Sequence, residues 1–245
     1  MLSISVIVVP PPMDTVAGFA QWVGESCRPG MRTLNIGAGK NLSGGLRPIT
    51  RRMTYMVGVD PDPSIHDNPS LDERHQMSLE AFATDHAGEF DVAFAVYVLE
   101  HVAAPAAFVG ACARVLKPGG SLFALTLNRY QYFGLLTWAS TRLGASDWLL
   151  ARLKPPDVIA QYHFVTEYRL NSIREISRRL EQAGFRAVEF RCYDAPDRYR
   201  WYLPSTLHWF PDIYSKAAYA VGRPSLMGHL SFRADLPSGQ DPARS

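Results

Sequence analysis

The stretch Phe90-Asp91-Val92-Ala93-Phe94-Ala95-Val96-Tyr97-Val98-Leu99-Glu100-His101-Val102 decides the fold. From Phe90 to Val98 it is a nearly unbroken apolar run, the pattern of a strand covered on both faces rather than one with a wet side. Pro105 then sits well for a first helical position, and Phe108, Cys112 and Val115 fall on one stripe of the helix it opens. Lys117-Pro118-Gly119-Gly120 stops that helix, and Ser121 to Leu127 reads as a second central strand ending at Asn128. Strand, helix and strand in this order build a parallel sheet with helices on its faces.

The same rhythm runs upstream and downstream. Val16, Phe19, Ala20, Val23 and Cys27 recur at helical spacing, with Asp14 or Thr15 as N-cap and Pro29-Gly30 as a stop. Thr33 to Ile36 is a short buried strand that runs into Gly37-Ala38-Gly39, and Tyr55 to Val59 is another that ends at Asp60-Pro61. Later, Leu170, Ile173, Ile176 and Leu180 mark an amphipathic helix with Arg174, Arg178 and Arg179 on its wet side. Gly184 closes it, Phe185 to Tyr193 supplies a strand, and Leu226 to Phe232 is expected to close the sheet as an edge strand.

Composition bounds the function. At 245 residues, 47% hydrophobic and 20% charged, the chain can bury a full core without staples. Lys plus Arg is 25 against 23 for Asp plus Glu, so no strong field asks for nucleic acid, and none is expected as a partner. Cys27, Cys112 and Cys192 are isolated, without metal-ligand or disulfide spacing, which fits a reducing compartment and no metal. The apolar run Ile4 to Val9 lacks a basic leader and meets Pro10-Pro11-Pro12, so it reads neither as a signal peptide nor as a span. On these features a cytoplasmic protein is expected.

Two aromatic-rich insertions break the rhythm. Residues 129–165 and 194–223 follow late strands and hold four of the five tryptophans, so both can fold as a cap over the carboxyl edge, where open α/β sheets bind ligands. Arg47, Arg51 and Arg52, and separately Arg191, Arg198 and Arg200, flank that mouth and could draw an anionic substrate. Trp201-Tyr202 to Trp209-Phe210, with arginines nearby, could rest on a lipid headgroup layer. One domain spanning residues 1–235 is expected, with a core at 31–128 and a disordered tail at 236–245.

The chemistry-bearing residues lie at strand ends. Gly37 and Gly39 just past a strand permit a tight turn and close ligand approach to the backbone. A dinucleotide fingerprint would need a third glycine where Leu42 stands, which counts against a nicotinamide oxidoreductase. Asp60, 23 residues after Gly37 at the next strand's tip, can accept hydrogen bonds from both hydroxyls of an adenosine ribose.

In this order the glycine turn, the acidic strand tip, the Phe90-Asp91 strand, the Leu99-Glu100-His101 turn and Leu116-Lys117-Pro118-Gly119-Gly120 resemble the class I S-adenosylmethionine-dependent methyltransferases. The likeness is to the small-molecule branch that includes the ubiquinone-biosynthesis O-methyltransferases. It covers residues 31–128 specifically and 163–193 more loosely. It implies a doubly wound Rossmann-like α/β fold, a seven-stranded sheet with the last strand antiparallel, and S-adenosylmethionine as cofactor. Carried over, Asn35, Gly37, Ala38 and Gly39 would lie under the methionine part, and Asp60 and Pro61 at the ribose. Ser78 and Leu79 would flank the adenine, with Ala95, Val96 and Tyr97 facing the methionine chain. Three positions depart from the family: Asn35 replaces an acid, Asn41 replaces the third glycine, and the family's adenine-contacting acid has no obvious equivalent near Ser78. The implied activity is methyl transfer to a small-molecule or lipid-linked acceptor, the acceptor atom being a hydroxyl; peripheral membrane contact is an expectation from the Trp201–Phe210 aromatics alone. His101 and His163 are then the candidate bases, since histidine titrates near neutrality. Glu100 is expected to cap backbone donors or shape the pocket, and His208 and His229 to be surface or core residues. The departures at Asn35 and Asn41 keep an alternative open, a non-catalytic relative that binds cofactor or a partner.

Overall fold

A computed structural model describes residues 1–40, 45–46, 49, 51, 55–132, 134–135, 166–200, 203 and 205–239. Their strands are β1 (Ser3–Val8), β2 (Arg32–Ile36), β3 (Tyr55–Val59), β4 (Glu73–His75), β5 (Phe90–Val96), β6 (Leu116–Leu127), β7 (Ala187–Tyr193) and β8 (His229–Asp235). The helices are α1 (Thr15–Ser26), α2 (Leu79–Asp85), α3 (Pro105–Val115), α4 (Ile173–Gln182), the single turn α5 (Asp197–Arg200) and α6 (Phe210–Val221).

The strands form one sheet in the order β1-β7-β8-β6-β5-β2-β3-β4. All pairings are parallel except those of β8, which runs antiparallel to both β6 and β7. The expected seven strands are therefore eight among the described residues. The strands without a sequence assignment are β1, whose apolar run pairs with β7 from Ser3↔Ala187 to Val8↔Cys192, and the three-residue β4 on β3. The expected edge position of the last strand is also corrected. It lies inside the sheet between β6 and β7, where both rows of its backbone N–H and C=O groups are paired, and β1 takes the edge. Nor does the tail begin where expected: Leu236 N–H donates to Gly120 O at 3.0 Å and Gly119 N–H to Pro237 O at 3.0 Å, pinning 236–237 to the start of β6. Residues 240–245 lie outside the described set.

Strand β5 shows why its sequence is apolar on both faces. Phe90, Ala93 and Ala95 pack into the cluster under α2, α3 and α4, while Val92 and Phe94 pack into the cluster under α1. Helix α1 is started by Asp14, whose carboxylate accepts the Ala17 N–H at 2.7 Å, and it buries Val16, Phe19, Ala20 and Val23. Helix α3 carries Pro105 in its first turn and buries Phe108, Cys112 and Val115. Helix α4 is capped by Ser172, which accepts from Glu175 N–H at 3.3 Å, and buries Ile176 and Leu180.

With β5 on one side of β2 and β3 on the other, the strand order reverses at β2. The carboxyl ends of β2, β3 and β5 thus surround a topological switch point, the place where open α/β sheets bind ligands.

Candidate functional site

At the carboxyl end of β2 the chain turns through Gly37 (φ 65°) and Gly39 (φ 42°), both in the left-handed region. A Cβ on Gly37 would stand 2.3 Å from Val98 Cγ2, so this position accepts only glycine beside the turn that follows β5. Gly37 N–H donates to Val59 O at 2.8 Å, which ties the turn to the tip of β3.

Asp60 completes that tie. Its Oδ2 accepts the Gly39 N–H at 2.9 Å and its Oδ1 accepts the Asp62 N–H at 2.8 Å. Burial raises the carboxyl above its usual range, while the two N–H bonds pull it the other way. Asp60 therefore braces the glycine turn as well as presenting carboxylate oxygens, each with a further lone pair, at the switch point. Pro61 follows at this tip and Asp62 caps the next turn through the Ser64 N–H at 2.8 Å.

Sequence reasoning missed Asn68. It is wholly buried, and its Nδ2 donates to Ala38 O and to Gly39 O, both at 3.0 Å, so one side chain holds both carbonyls of the turn. Its own carbonyl accepts from Arg74 Nη2 at 2.6 Å, and its Oδ1 from Ser70 N–H at 3.0 Å. Before Pro69, Asn68 reads as an ordinary turn residue; nothing local says that its partners lie 29 and 30 residues upstream.

The other expected cofactor residues divide. Asn35 is buried within β2 at 2% exposure, and its Nδ2 makes no hydrogen bond. Ala95 is buried in β5 and Val96 partly exposed at its end, and Tyr97 leaves the strand with φ 55°, a left-handed conformation that costs a tyrosine energy. The Tyr97 N–H is held by Leu125 O at 2.8 Å, and burial raises the pKa of its phenol. Ser78 caps α2 through the Ala81 N–H at 3.3 Å, and Leu79 points into the core, so its side chain serves packing.

The turn after β5 carries two titratable groups. His101 is partly exposed at the end of the short Leu99–His101 helix, its N–H bonded to Val98 O at 2.9 Å. Glu100 is buried at 3% exposure; its Oε1 accepts the Leu127 N–H at 3.3 Å, and its backbone carbonyl accepts from Glu167 and Tyr168. Burial pushes its carboxyl up to about 7, so it exchanges a proton near neutrality. Next to it, Asn171 Nδ2 donates to Thr126 Oγ1 at 2.6 Å and to Leu127 O at 3.1 Å, fixing the end of β6. His163, the second candidate base, lies outside the described residues, as do Arg47, Arg52 and most of 129–165.

Beyond the switch point the edge becomes aromatic. His229 is buried and stacks on Tyr193 at 5.2 Å, with Tyr97 edge-on to it at 6.2 Å. Burial lowers its pKa to about 3, so it is a neutral core residue and no base. His208 lies in the second insertion, its Nε2 3.0 Å from Leu203 O. The two insertions meet where Tyr132 packs edge-on against Phe210 at 5.1 Å and Tyr214 at 4.7 Å. Two of the flanking arginines are balanced locally: Arg191 by Glu189 at 2.8 Å, and Arg200 by both oxygens of Asp212 at 2.7 and 2.9 Å. Among the described residues no group of three His, Cys, Asp or Glu side chains could hold a metal.

With this geometry in hand, comparison with known proteins is informative. Residues 13–189 match the model of the family described as "Methyltransferase domain". The ubiquinone biosynthesis O-methyltransferase of Nitrobacter winogradskyi is 33% identical over 207 residues, covering 80% of this chain and 72% of that protein. The protein of the same name from a Bradyrhizobium strain is 36% identical over 152 residues, 56% of this chain and 58% of its own length. A SAM-dependent methyltransferase from Archaeoglobus fulgidus superposes with a TM-score of 0.57 over 90% of this chain and 92% of that one, at 14% identity, a likeness of fold. On the family match and the Nitrobacter alignment, the chain belongs to the methyltransferase domain family, the S-adenosylmethionine-dependent enzymes of Rossmann-like fold.

Proposed function

We propose that this protein transfers the methyl group of S-adenosylmethionine to a hydroxyl on a small, aromatic or lipid-linked acceptor. The observation that carries the reading is the brace at the switch point, with Gly39 N–H on Asp60 Oδ2 at 2.9 Å beside a Gly37 that tolerates no side chain. The cofactor's shape fits this: a cradle a Cβ would fill, a carboxylate at the neighbouring strand tip, and the orphaned Asn35 amide between β3 and β5. When bound, S-adenosylmethionine supplies a methyl already activated on a sulfonium, so the protein's task is alignment more than bond-breaking.

Each residue then has defined work. Gly37, Ala38 and Gly39 let the ligand meet backbone, Asp60 accepts from the ribose hydroxyls, and Asn68 keeps the turn open by holding its two carbonyls. Ala95, Val96 and Tyr97 form the wall at the end of β5. A hydroxyl acceptor must lose its proton, and the groups at the following turn able to hold it are His101 and the buried carboxyl of Glu100; His163, outside the described residues, stays a candidate on the sequence alone. Exposed Leu207, Trp209, Phe210 and Ile213 on the second insertion support contact with a lipid-linked acceptor, read out as binding to phospholipid vesicles. Among the described residues no helix is long and apolar enough to cross a membrane.

Calorimetric titration with S-adenosylmethionine and S-adenosylhomocysteine, beside Asp60→Ala, tests the site. Binding that Asp60→Ala weakens at least tenfold, followed by transfer of labelled methyl to a catechol, is the expected result. Folded protein that binds neither ligand would overturn the reading and leave the non-catalytic alternative.

A further inference from the structure

The two edges of the sheet are built differently. The β4 edge is three residues long and each is ionisable, Glu73, Arg74 and His75, a length and a charge that discourage a further strand. At the other edge β1 reads Ser3-Ile4-Ser5-Val6-Ile7-Val8, six residues without charge or proline, with Ile4 51% and Ile7 41% exposed. Its pairing with β7 runs from Ser3 to Val8 without a bulge, and among the described strands β7 is its one neighbour. Shortness, charge, proline and bulges are the devices that blunt an open edge, and β1 has none of them.

The outer row of backbone groups on β1 has defined ends. Ser3 N–H donates to Arg186 O at 2.8 Å and Val9 N–H to Cys192 O at 2.9 Å, so the odd residues turn toward β7. Successive residues of a strand turn their backbone groups to opposite sides, so Ile4, Val6 and Val8 present N–H and C=O outward. Leu2, the preceding even residue, has its N–H taken by Glu181 Oε1 at 3.1 Å. Pro10, the following one, has no N–H.

We propose that β1 is the seam of a homodimer, in which two copies of the chain pair this edge antiparallel about a twofold axis at Val6. Val6 then faces Val6 of the second copy and Ile4 faces its Val8, which pairs every outward N–H and C=O of both strands. Moving the axis by one residue either way sets an outward group against the occupied Leu2 N–H or against Pro10, so the register is unique. The absence of charge selects the occupant: a second copy brings no like charges across the seam, and an acidic or basic peptide finds no counter-charge on it. Ile4 leaves solvent on the face where Val6 and Val8 already pack against the core, and Ile7 covers Ser5 of the second copy on the other. A seam of six residues is smaller than a standard interface, so the dimer is weak and concentration-dependent.

The test is sedimentation velocity of the full chain from about 1 to about 500 µM, where weak complexes form and dissociate. A monomer to dimer equilibrium is expected. Val6→Pro removes an outward donor and leaves the odd-residue bonds to β7 in place, so it should weaken dimerisation by about tenfold or more. Ile4→Lys charges this edge as β4 is charged, at a position exposed enough to keep the fold, and should weaken the dimer too even where Val6→Pro disturbs β1. Cysteine cross-linking reads the register. Facing Cα atoms on the axis stand about 5.5 Å apart, within disulfide reach, so Val6→Cys should cross-link under mild oxidation. Ile4→Cys, offset from its own copy by roughly 14 Å along the strands, should not. The native cysteines are all buried and do not compete. A protein monomeric throughout, a dimer indifferent to both edge variants, or Ile4→Cys linking as readily as Val6→Cys would each overturn the proposal.

Discussion

Substituting Gly37 by alanine perturbs the site at its most constrained atom. Two costs add. At φ 65° an L-residue pays about 1–2 kcal/mol for the left-handed conformation, and the new methyl must also displace Val98 Cγ2, which would stand 2.3 Å away. Forcing a methyl into such a contact costs about 1–3 kcal/mol more, and the lower entropy of the unfolded alanine chain returns under about 1 kcal/mol. Gly37→Ala should therefore destabilise the protein by about 2–4 kcal/mol. Only the steric part depends on Val98, so Val98→Ala should relieve it and leave the backbone part in place. A double-mutant cycle measured by urea unfolding of the four proteins should show a coupling of about 1–3 kcal/mol, with the double variant less destabilised than the sum of the singles. Because Val98 also begins the turn that presents Glu100 and His101, S-adenosylhomocysteine affinity should fall in Gly37→Ala and recover in part in the double variant. Strict additivity in stability would refute the contact and with it the account of why this position is glycine.

Asn68→Ala removes both donors to the turn carbonyls and the acceptor for Ser70 N–H, and should cost about 2–3 kcal/mol in urea unfolding while weakening S-adenosylhomocysteine binding. An unchanged ligand affinity would show that the turn holds its shape without Asn68. Glu100 gives a pH signature. Its carboxyl is raised from 4.5 to about 7 in the folded protein, so the unfolded chain releases this proton first as pH rises. The stability linked to this group is full below about pH 4.5 and is lost as pH climbs to about 7, a change on the order of 3 kcal/mol. Glu100→Gln, which keeps an acceptor for Leu127 N–H, should gain stability relative to the parent across that window and run parallel to it above. Parallel curves throughout would show that the carboxyl titrates normally.

Much of the candidate site could be read from residue order because its parts are local. Gly37, Gly39 and Asp60 each sit at the end of an apolar run short enough to be a strand, and strand ends are where an α/β sheet presents ligands. The run from Phe90 to Val96 likewise declared a strand buried on both faces, which is where it lies. What the local pattern could not supply was the partner of each group. Asn68 looked like any residue before a proline until the fold set it under the glycine turn.

The sequence by itself determined which segments are buried, on which faces, and where the chain must turn, since side-chain periodicity and glycine or proline chemistry act over a few residues. Neighbour relations were decided only by the tertiary structure. Ser3–Val8 is exposed over most of its length, Ile4 and Ile7 included, and becomes a strand only because β7, some 180 residues later, offers an open parallel edge. Strand β8 enters the sheet between β6 and β7 because both of them pair its backbone edges, and no local signal distinguishes that from an edge. The shifted proton on Glu100 and the unpaired hydroxyl of Tyr193 have the same origin: desolvation is a property of everything packed around a group, and that packing is assembled from residues far apart in the chain.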